Sequence, residues 1–182
     1  MTMNRGMADL DDAADGTPAR RDLRLPPLAV AALAAVAQVP LARRERRPSP
    51  GSLVVAGVVA AGAAWCAADP VLRFRRSRTT VDPTAPAATS ALVTEGANKL
   101  TRNPMYVGML LGLVAHAVAR RSVVAALPAA AFVAALHPQI TAEERALGAR
   151  FGDEYARYRA TTPRWVDARS AGAAWRMLSA HA

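Results

Sequence analysis

Residues able to do chemistry concentrate in two short stretches of this 182-residue chain, Arg102-Asn103-Pro104-Met105-Tyr106-Val107-Gly108 and Glu143-Glu144. Arg102 precedes an uncharged run, and Pro104 has the fixed φ and missing N–H that suit the first turn of a helix. A guanidinium beside the free N–H groups of a helix start suits a carboxylate. Tyr106 fits a membrane interface, and Gly108 lets a ligand or a neighbouring helix approach the backbone. The two glutamates close a second uncharged run. If the runs form a hairpin, the chain returns to the same face and the glutamates stand level with Arg102. Glu144, Leu147, Phe151, Tyr155 and Tyr158 fall at i, i+3, i+7, i+11 and i+14, one stripe of an amphipathic helix that turns Glu144 inward. A carboxylate so placed requires a partner, either Arg102 or the cationic part of a ligand. Glu143 reads as an acidic residue at a helix start, favourable to the helix dipole.

The elements that must position these residues are apolar. Hydrophobic residues make up 52% of the chain while the net charge is +9, so apolar and basic residues are segregated along it. Leu25–Ala42 and Gly51–Ala68 are each 18 residues without a charge, Asn103–Ala119 is 17 and Ser122–Ala142 is 21. Each approaches the ~20 residues that carry a helix across the hydrocarbon core. The expectation is an all-α integral membrane bundle of about four transmembrane helices, followed by a cytosolic amphipathic helix. Gly57, Gly62, Ala63, Gly108 and Gly112 offer small surfaces for close helix contact in lipid. The first helix, with Pro26, Pro27, Gln38 and Pro40, is the weakest and depends on packing against its neighbours.

With four crossings, one side of the membrane holds 17 of the 23 Lys and Arg residues, which makes that side cytoplasmic and places both termini there. The Ala- and Arg-rich composition points to a bacterial inner-membrane protein. The organisation reads as a disordered polar leader over 1–24, an N-terminal transmembrane hairpin over 25–78, a core over 79–166 and a tail over 167–182 in which Trp175 marks a short surface helix.

A basic balance also raises nucleic acid, but the arginines flank apolar runs and do not interleave with aromatic residues, so no nucleic-acid partner is expected. His116 and His137 lack metal-ligand spacing, and no metal is expected. Cys66, the one cysteine, reads as a small buried apolar residue. Asp69-Pro70 reads as a helix end.

From Thr79 onward come Thr79-Thr80-Val81-Asp82-Pro83, Leu92-Val93-Thr94-Glu95-Gly96 and Lys99-Leu100-Thr101-Arg102-Asn103-Pro104-Met105-Tyr106-Val107-Gly108. Past the last apolar run come Glu143-Glu144-Arg145-Ala146-Leu147, Phe151-Gly152, Tyr155 and Thr162-Pro163-Arg164-Trp165. These blocks, over about residues 72–166, resemble the isoprenylcysteine carboxyl methyltransferase family and its phospholipid methyltransferase relatives. There Gly-x-Tyr-Arg-x-x-Arg-His/Asn-Pro-x-Tyr-x-Gly opens a membrane helix and Glu-Glu-x-x-Leu, Phe-Gly-x-x-Tyr and Pro-Arg elements follow. Asn103 stands where His is commonest, Asn98 where an aromatic is usual and Ala97 where Pro is frequent.

The resemblance implies an S-adenosylmethionine-dependent methyltransferase acting on a lipophilic or amphipathic acceptor drawn from the bilayer. It implies cofactor-binding roles for Gly96, Lys99, Arg102, Asn103, Pro104, Tyr106, Gly108, Glu143 and Glu144, with Arg102 and Glu144 catalytic. The acceptor group stays open between an isoprenylcysteine-like carboxylate, which needs no base, and a phospholipid amine, for which a glutamate is the candidate base. An NADPH-dependent membrane reductase of related fold and a non-catalytic membrane protein are the alternatives.

Overall fold

A computed structural model describes residues 25–43, 47–76 and 92–179. The polar leader, the Arg44–Arg46 loop and the Thr79–Pro83 block lie outside the described residues. Among those residues there are five helices and no strand: α1 Pro27–Arg43, α2 Pro50–Arg76, α3 Pro104–Ala119, α4 Ala126–Thr161 and α5 Ala168–Ser179, with a 3₁₀ turn at Gly96–Lys99 before α3.

Prolines open α1, α2 and α3, where a missing N–H costs no helical bond. Ser49 and Ser52 cap α2 reciprocally, each hydroxyl accepting the other's backbone N–H at 3.2 and 2.9 Å. At the end of α3 the N–H groups of Arg121 and Ser122 donate to the carbonyls of Val118 and Ala117, both at 3.0 Å, and Arg121 has φ 52°. That left-handed residue with its two backward bonds terminates the helix. The hairpin expected to turn at Arg120-Arg121 alone therefore extends to Ala125, whose N–H reaches the Ser122 hydroxyl at 3.0 Å.

α3 packs against α1, α2 and α4. Tyr106 and Leu113 of α3 join Ala129, Phe132, Leu136 and Ile140 of α4 in the core, and Val30, Ala31 and Ala34 of α1 lie against them. Between α2 and α3 the seam is made at Gly108, where a Cβ would come 2.8 Å from the Ala63 carbonyl oxygen. Gly57, Gly62 and Gly112, expected at such seams, have open space beside them. Alanines fill that role on α2, with Ala56 and Ala63 buried.

One helix among the described residues, Pro50–Arg73 within α2, is long and apolar enough to cross a membrane. Pro27–Ala42 and Pro104–Ala119 are apolar but shorter, so length supports one crossing of the four expected. The shortfall has local causes: Pro27 and the Arg121 turn set the limits of α1 and α3. α2 also runs straight through Asp69-Pro70 to Arg76, correcting the helix end read there. Asp69 is held by Arg73 Nε at 2.9 Å and by the Ala97 N–H at 2.8 Å, which ties α2 to the 3₁₀ turn.

The amphipathic segment does not begin a new helix at Glu143: α4 continues past Ala142 as far as Phe151, because Glu143, Glu144, Arg145, Ala146 and Leu147 are all good helix formers, and at Gly152, where φ is 48° and ψ −121°, the chain kinks into a second helical stretch that ends at Thr161. Glu143 accordingly sits mid-helix and has no helix-start role. Of the predicted stripe, Glu144, Tyr155 and Tyr158 are buried.

At the far end of α3, Gln38 of α1 is 1% exposed. Its amide donates to the carbonyls of Leu113 at 3.0 Å and Ala125 at 2.6 Å, and its oxygen lies 3.1 Å from His116 Nδ1. This cluster fastens the weakly apolar first helix to α3 and to the turn before α4.

Candidate functional site

The first turn of α3 meets the middle of α4 and the segment that leaves it. Arg102 donates to Glu144 Oε1 from Nη2 at 2.6 Å and from Nε at 3.2 Å, and from Nη1 to the Thr162 carbonyl at 2.6 Å. Arg164 reaches the same carboxylate, Nη2 to Oε2 at 2.5 Å and Nε to Oε1 at 3.1 Å. Arg102 and Glu144 side chains are each 10% exposed and Arg164 is 27% exposed, so the trio sits at the rim of the core with Arg164 outermost.

Residues 162–164 run beside 101–103. The Arg102 N–H donates to the Pro163 carbonyl at 2.8 Å, and the Arg164 carbonyl accepts from the Thr101 hydroxyl at 2.9 Å and from Asn103 Nδ2 at 3.0 Å. Asn103 therefore splints the two segments and, although it occupies the N-cap position, its side chain caps nothing.

Burial opposes the charge on Glu144, but the hydrogen bonds from Arg164 and Arg102, reinforced by their charges, outweigh it and hold the carboxyl below its usual range. Its neighbour shifts the other way. Burial pushes the Glu143 carboxyl up, hydrogen bonds from Tyr106 and Gln139 only partly offset this, and the Glu144 charge adds to the rise. Tyr106 donates its hydroxyl to Glu143 Oε1 at 2.7 Å, and Gln139 Nε2 donates to that oxygen at 3.1 Å. Adjacent carboxyls pushed apart in this way can divide charge-holding from proton transfer.

Two guanidiniums on one carboxylate leave the trio with a surplus positive charge, suited to an anionic group. Two polar atoms close by are buried without a hydrogen-bond partner, Asn98 Nδ2 and the Tyr155 hydroxyl. The Tyr155 hydroxyl lies against Arg102, near enough to interact with its guanidinium though outside ideal hydrogen-bond geometry. The Tyr158 hydroxyl donates to the Asn98 carbonyl at 2.8 Å, so the backbone of Asn98 is fixed while its amide is unspent.

The structure thus brings together Arg102, Asn103, Pro104, Tyr106, Glu143 and Glu144. Lys99 lies exposed on the 3₁₀ turn at its edge. Gly96 and Gly108 face elsewhere. Gly96 has φ 61°, and the Asp69 and Arg73 side chains occupy the place of a Cβ; Gly108 is spent on the α2 seam. Both glycines build the frame of the site. Sequence reasoning passes over Arg164 and Gln139 as site residues. Gln139 has a signal, its i,i+4 spacing to Glu143. Arg164 has only its place after Pro163.

The sequence model of the phospholipid methyltransferase family matches residues 52–154, from the start of α2 to just past the Gly152 break. No curated protein and no solved structure matches the chain.

Proposed function

The chain belongs to the phospholipid methyltransferase family, a family of integral membrane methyltransferases, and we propose that it moves a methyl group from S-adenosylmethionine to a lipophilic amine at the cytoplasmic face of a bacterial inner membrane. The observation that carries the proposal is the convergence of Arg102, Glu144 and Glu143 on the first turn of α3, with the family match covering all three. In this reading the chain crosses four times, with both termini cytoplasmic.

The residues present fit the cofactor. Surplus positive charge on the Arg102–Glu144–Arg164 trio, with Lys99 nearby, suits its carboxylate, and the Asn98 Nδ2 and Tyr155 hydroxyl suit polar edges of a nucleoside. When bound, the cofactor supplies an electrophilic methyl group on a sulfonium, open to in-line displacement.

The chain's own part is to hold, to dry and to take a proton. Arg102 has three of its donors committed within the protein, so it acts chiefly by fixing Glu144 and the 162–164 segment, and Arg164 presents the more accessible cation. Tyr106, Ile140 and Trp165 pack beside the site as apolar wall and limit water there. A lipid ammonium must lose a proton before its nitrogen pair can attack. Glu143 is the acceptor for that proton: its Oε1 is bound by Tyr106 and Gln139, and among the described residues its Oε2 makes no hydrogen bond. A carboxylate acceptor would leave Glu143 with no proton to move, which is why the amine is favoured.

Between α1 and α3 a largely apolar groove of about 470 Å³, lined by Leu28, Ala31, Ala35, Met109 and Gly112 with Gln38 and His116 also in its wall, gives an aliphatic chain a place one turn from Tyr106. The test is binding and turnover in nanodiscs. S-adenosylmethionine should bind, and labelled methyl should pass to an aminophospholipid and not to a prenylcysteine carboxylate. Absence of S-adenosylmethionine binding would sink the proposal; transfer to the carboxylate alone would overturn the choice of acceptor.

A further inference from the structure

α5 lies beyond the family match and takes no part in the site chemistry, yet it is built with care. Asp167 caps it: Asp167 Oδ1 accepts the Arg169 N–H at 2.8 Å, and the Asp167 N–H reaches the Ser170 hydroxyl at 3.1 Å. The helix then presents three faces. Ser170 and Ala173, three residues apart, are buried against the body, and the Ser170 hydroxyl donates to the Leu100 carbonyl at 2.6 Å. Ala171, Trp175 and Leu178, at i, i+4 and i+7, form a second face on which Trp175 is 74% and Leu178 71% exposed. Arg169 and Arg176, seven residues apart, form the third.

We propose that α5 is an interfacial helix seated in the headgroup layer of the cytoplasmic leaflet, with Trp175 and Leu178 immersed and Arg176 facing anionic lipid phosphates. Position argues for this occupant. Leu100, to which α5 is bonded, lies four residues before Pro104, where α3 begins, so the helix sits at the height where an apolar span gives way to polar chain. Chemistry argues the same way. Tryptophan is at home at the membrane interface, and an amphipathic helix with an aromatic and aliphatic face beside arginines lies in the plane of an anionic surface. The side of the membrane assigned to α5 also holds 17 of the 23 basic residues, which matches it to anionic lipid. Through Ser170 and Leu100 the bilayer surface is thereby coupled to the segment carrying Arg102.

This proposal rests on the membrane reading, and one experiment separates the two. The full-length protein and Trp175→Phe are reconstituted in vesicles of phosphatidylglycerol and phosphatidylcholine, and flotation after an alkaline wash is scored first. The emission lost in Trp175→Phe is then assigned to Trp175. That component should be quenched by phospholipid brominated near the top of its chains, should resist aqueous iodide, and should lose at least half its lipid quenching when phosphatidylglycerol is omitted or Arg176→Gln is introduced. Floating protein whose Trp175 is quenched by iodide overturns the proposal and leaves the membrane reading intact. Shielding from both quenchers assigns the face to a protein contact and also overturns it. Failure to float overturns both.

Discussion

α3 carries a buried polar cluster at each end, and the two are built to opposite rules. At its far end Gln38, His116 and the carbonyls of Leu113 and Ala125 form a set of amide, imidazole and backbone groups in which the Gln38 amide is fully engaged. At its first turn Arg102, Arg164 and Glu144 are charged, carry a surplus of one sign, and stand beside the unspent Asn98 Nδ2 and Tyr155 hydroxyl. Buried polar groups cost least when every partner is present. The far cluster obeys that rule and fastens α1; the near one leaves capacity over, as a site for a polar ligand requires. Burial of polar groups alone therefore does not mark function here. On the proposed function, incomplete satisfaction does.

The contrast breaks most sharply at Glu144. Glu144→Ala leaves two guanidiniums facing each other near the core, and loss of a buried partner of this kind costs roughly 3–5 kcal/mol. Thermal unfolding in detergent should fall accordingly and S-adenosylmethionine binding should vanish. In the wild type the same pairing gives an acid limit. Because the Glu144 carboxyl titrates below its ordinary value in the folded protein, its contribution is full above the unfolded value of about 4.5 and is lost as pH falls through the depressed one. Acid unfolding monitored by helix content should therefore begin below about pH 4.5 and be flattened in Glu144→Gln.

Glu143→Gln keeps an oxygen for the Tyr106 hydroxyl, so folding and cofactor binding should survive while turnover on an amine falls about 10²–10⁴-fold. Since burial raises the Glu143 carboxyl, wild-type activity should climb with pH through that raised value as the base form appears, and the climb should be absent from the variant. Unchanged turnover in Glu143→Gln would remove it as base. At the other end, Gln38→Leu should cost about 1–3 kcal/mol, since two carbonyls lose their donor in the interior, with kcat unaltered. A fall in kcat larger than the fall in folded protein would erase the distinction between the clusters. The smallest effect belongs to Arg121→Gly. The left-handed φ of 52° costs an arginine about 1–2 kcal/mol, and glycine returns part of this through its own greater chain entropy, so a gain of up to about 1 kcal/mol should appear in denaturant unfolding.

Much of the near cluster is legible in sequence. Arg102 before Pro104 and the inward stripe from Glu144 to Tyr158 are enough to bring cation and carboxylate together, because a hairpin and a helical period are local rules. Arg164 is not legible as a partner of Glu144, since the turn at Thr162-Pro163 that brings it back depends on bonds to residues 101–103, which lie 61 to 63 positions away. The continuity of α4 escapes a sequence reading for a different reason: a change of composition at Glu143 marks where solvent begins, and a helix made of good formers crosses that boundary without ending. The glycines divide similarly. Gly96 and Gly108 belong to a motif, but whether a glycine admits a ligand or a neighbouring backbone is a property of what packs there, and α2 is what packs there.

The uninterrupted course of α4 up to Gly152 has a mechanical meaning. Phe132, Leu136 and Ile140 anchor the helix in the apolar core, and Glu143 and Glu144 follow within little more than a turn on the same rod. Pro138, between Leu136 and Ile140, has no N–H to give the carbonyl four residues before it, so α4 can bend there, and such a bend moves Ile140 and both glutamates together against Arg102, whose own position is set by α3. Membrane helices answer a change of bilayer thickness by tilting. If α4 crosses the bilayer as proposed, the thickness of the surrounding lipid becomes an input to the alignment of the site, delivered through the Pro138 joint between the core anchor and the carboxylates.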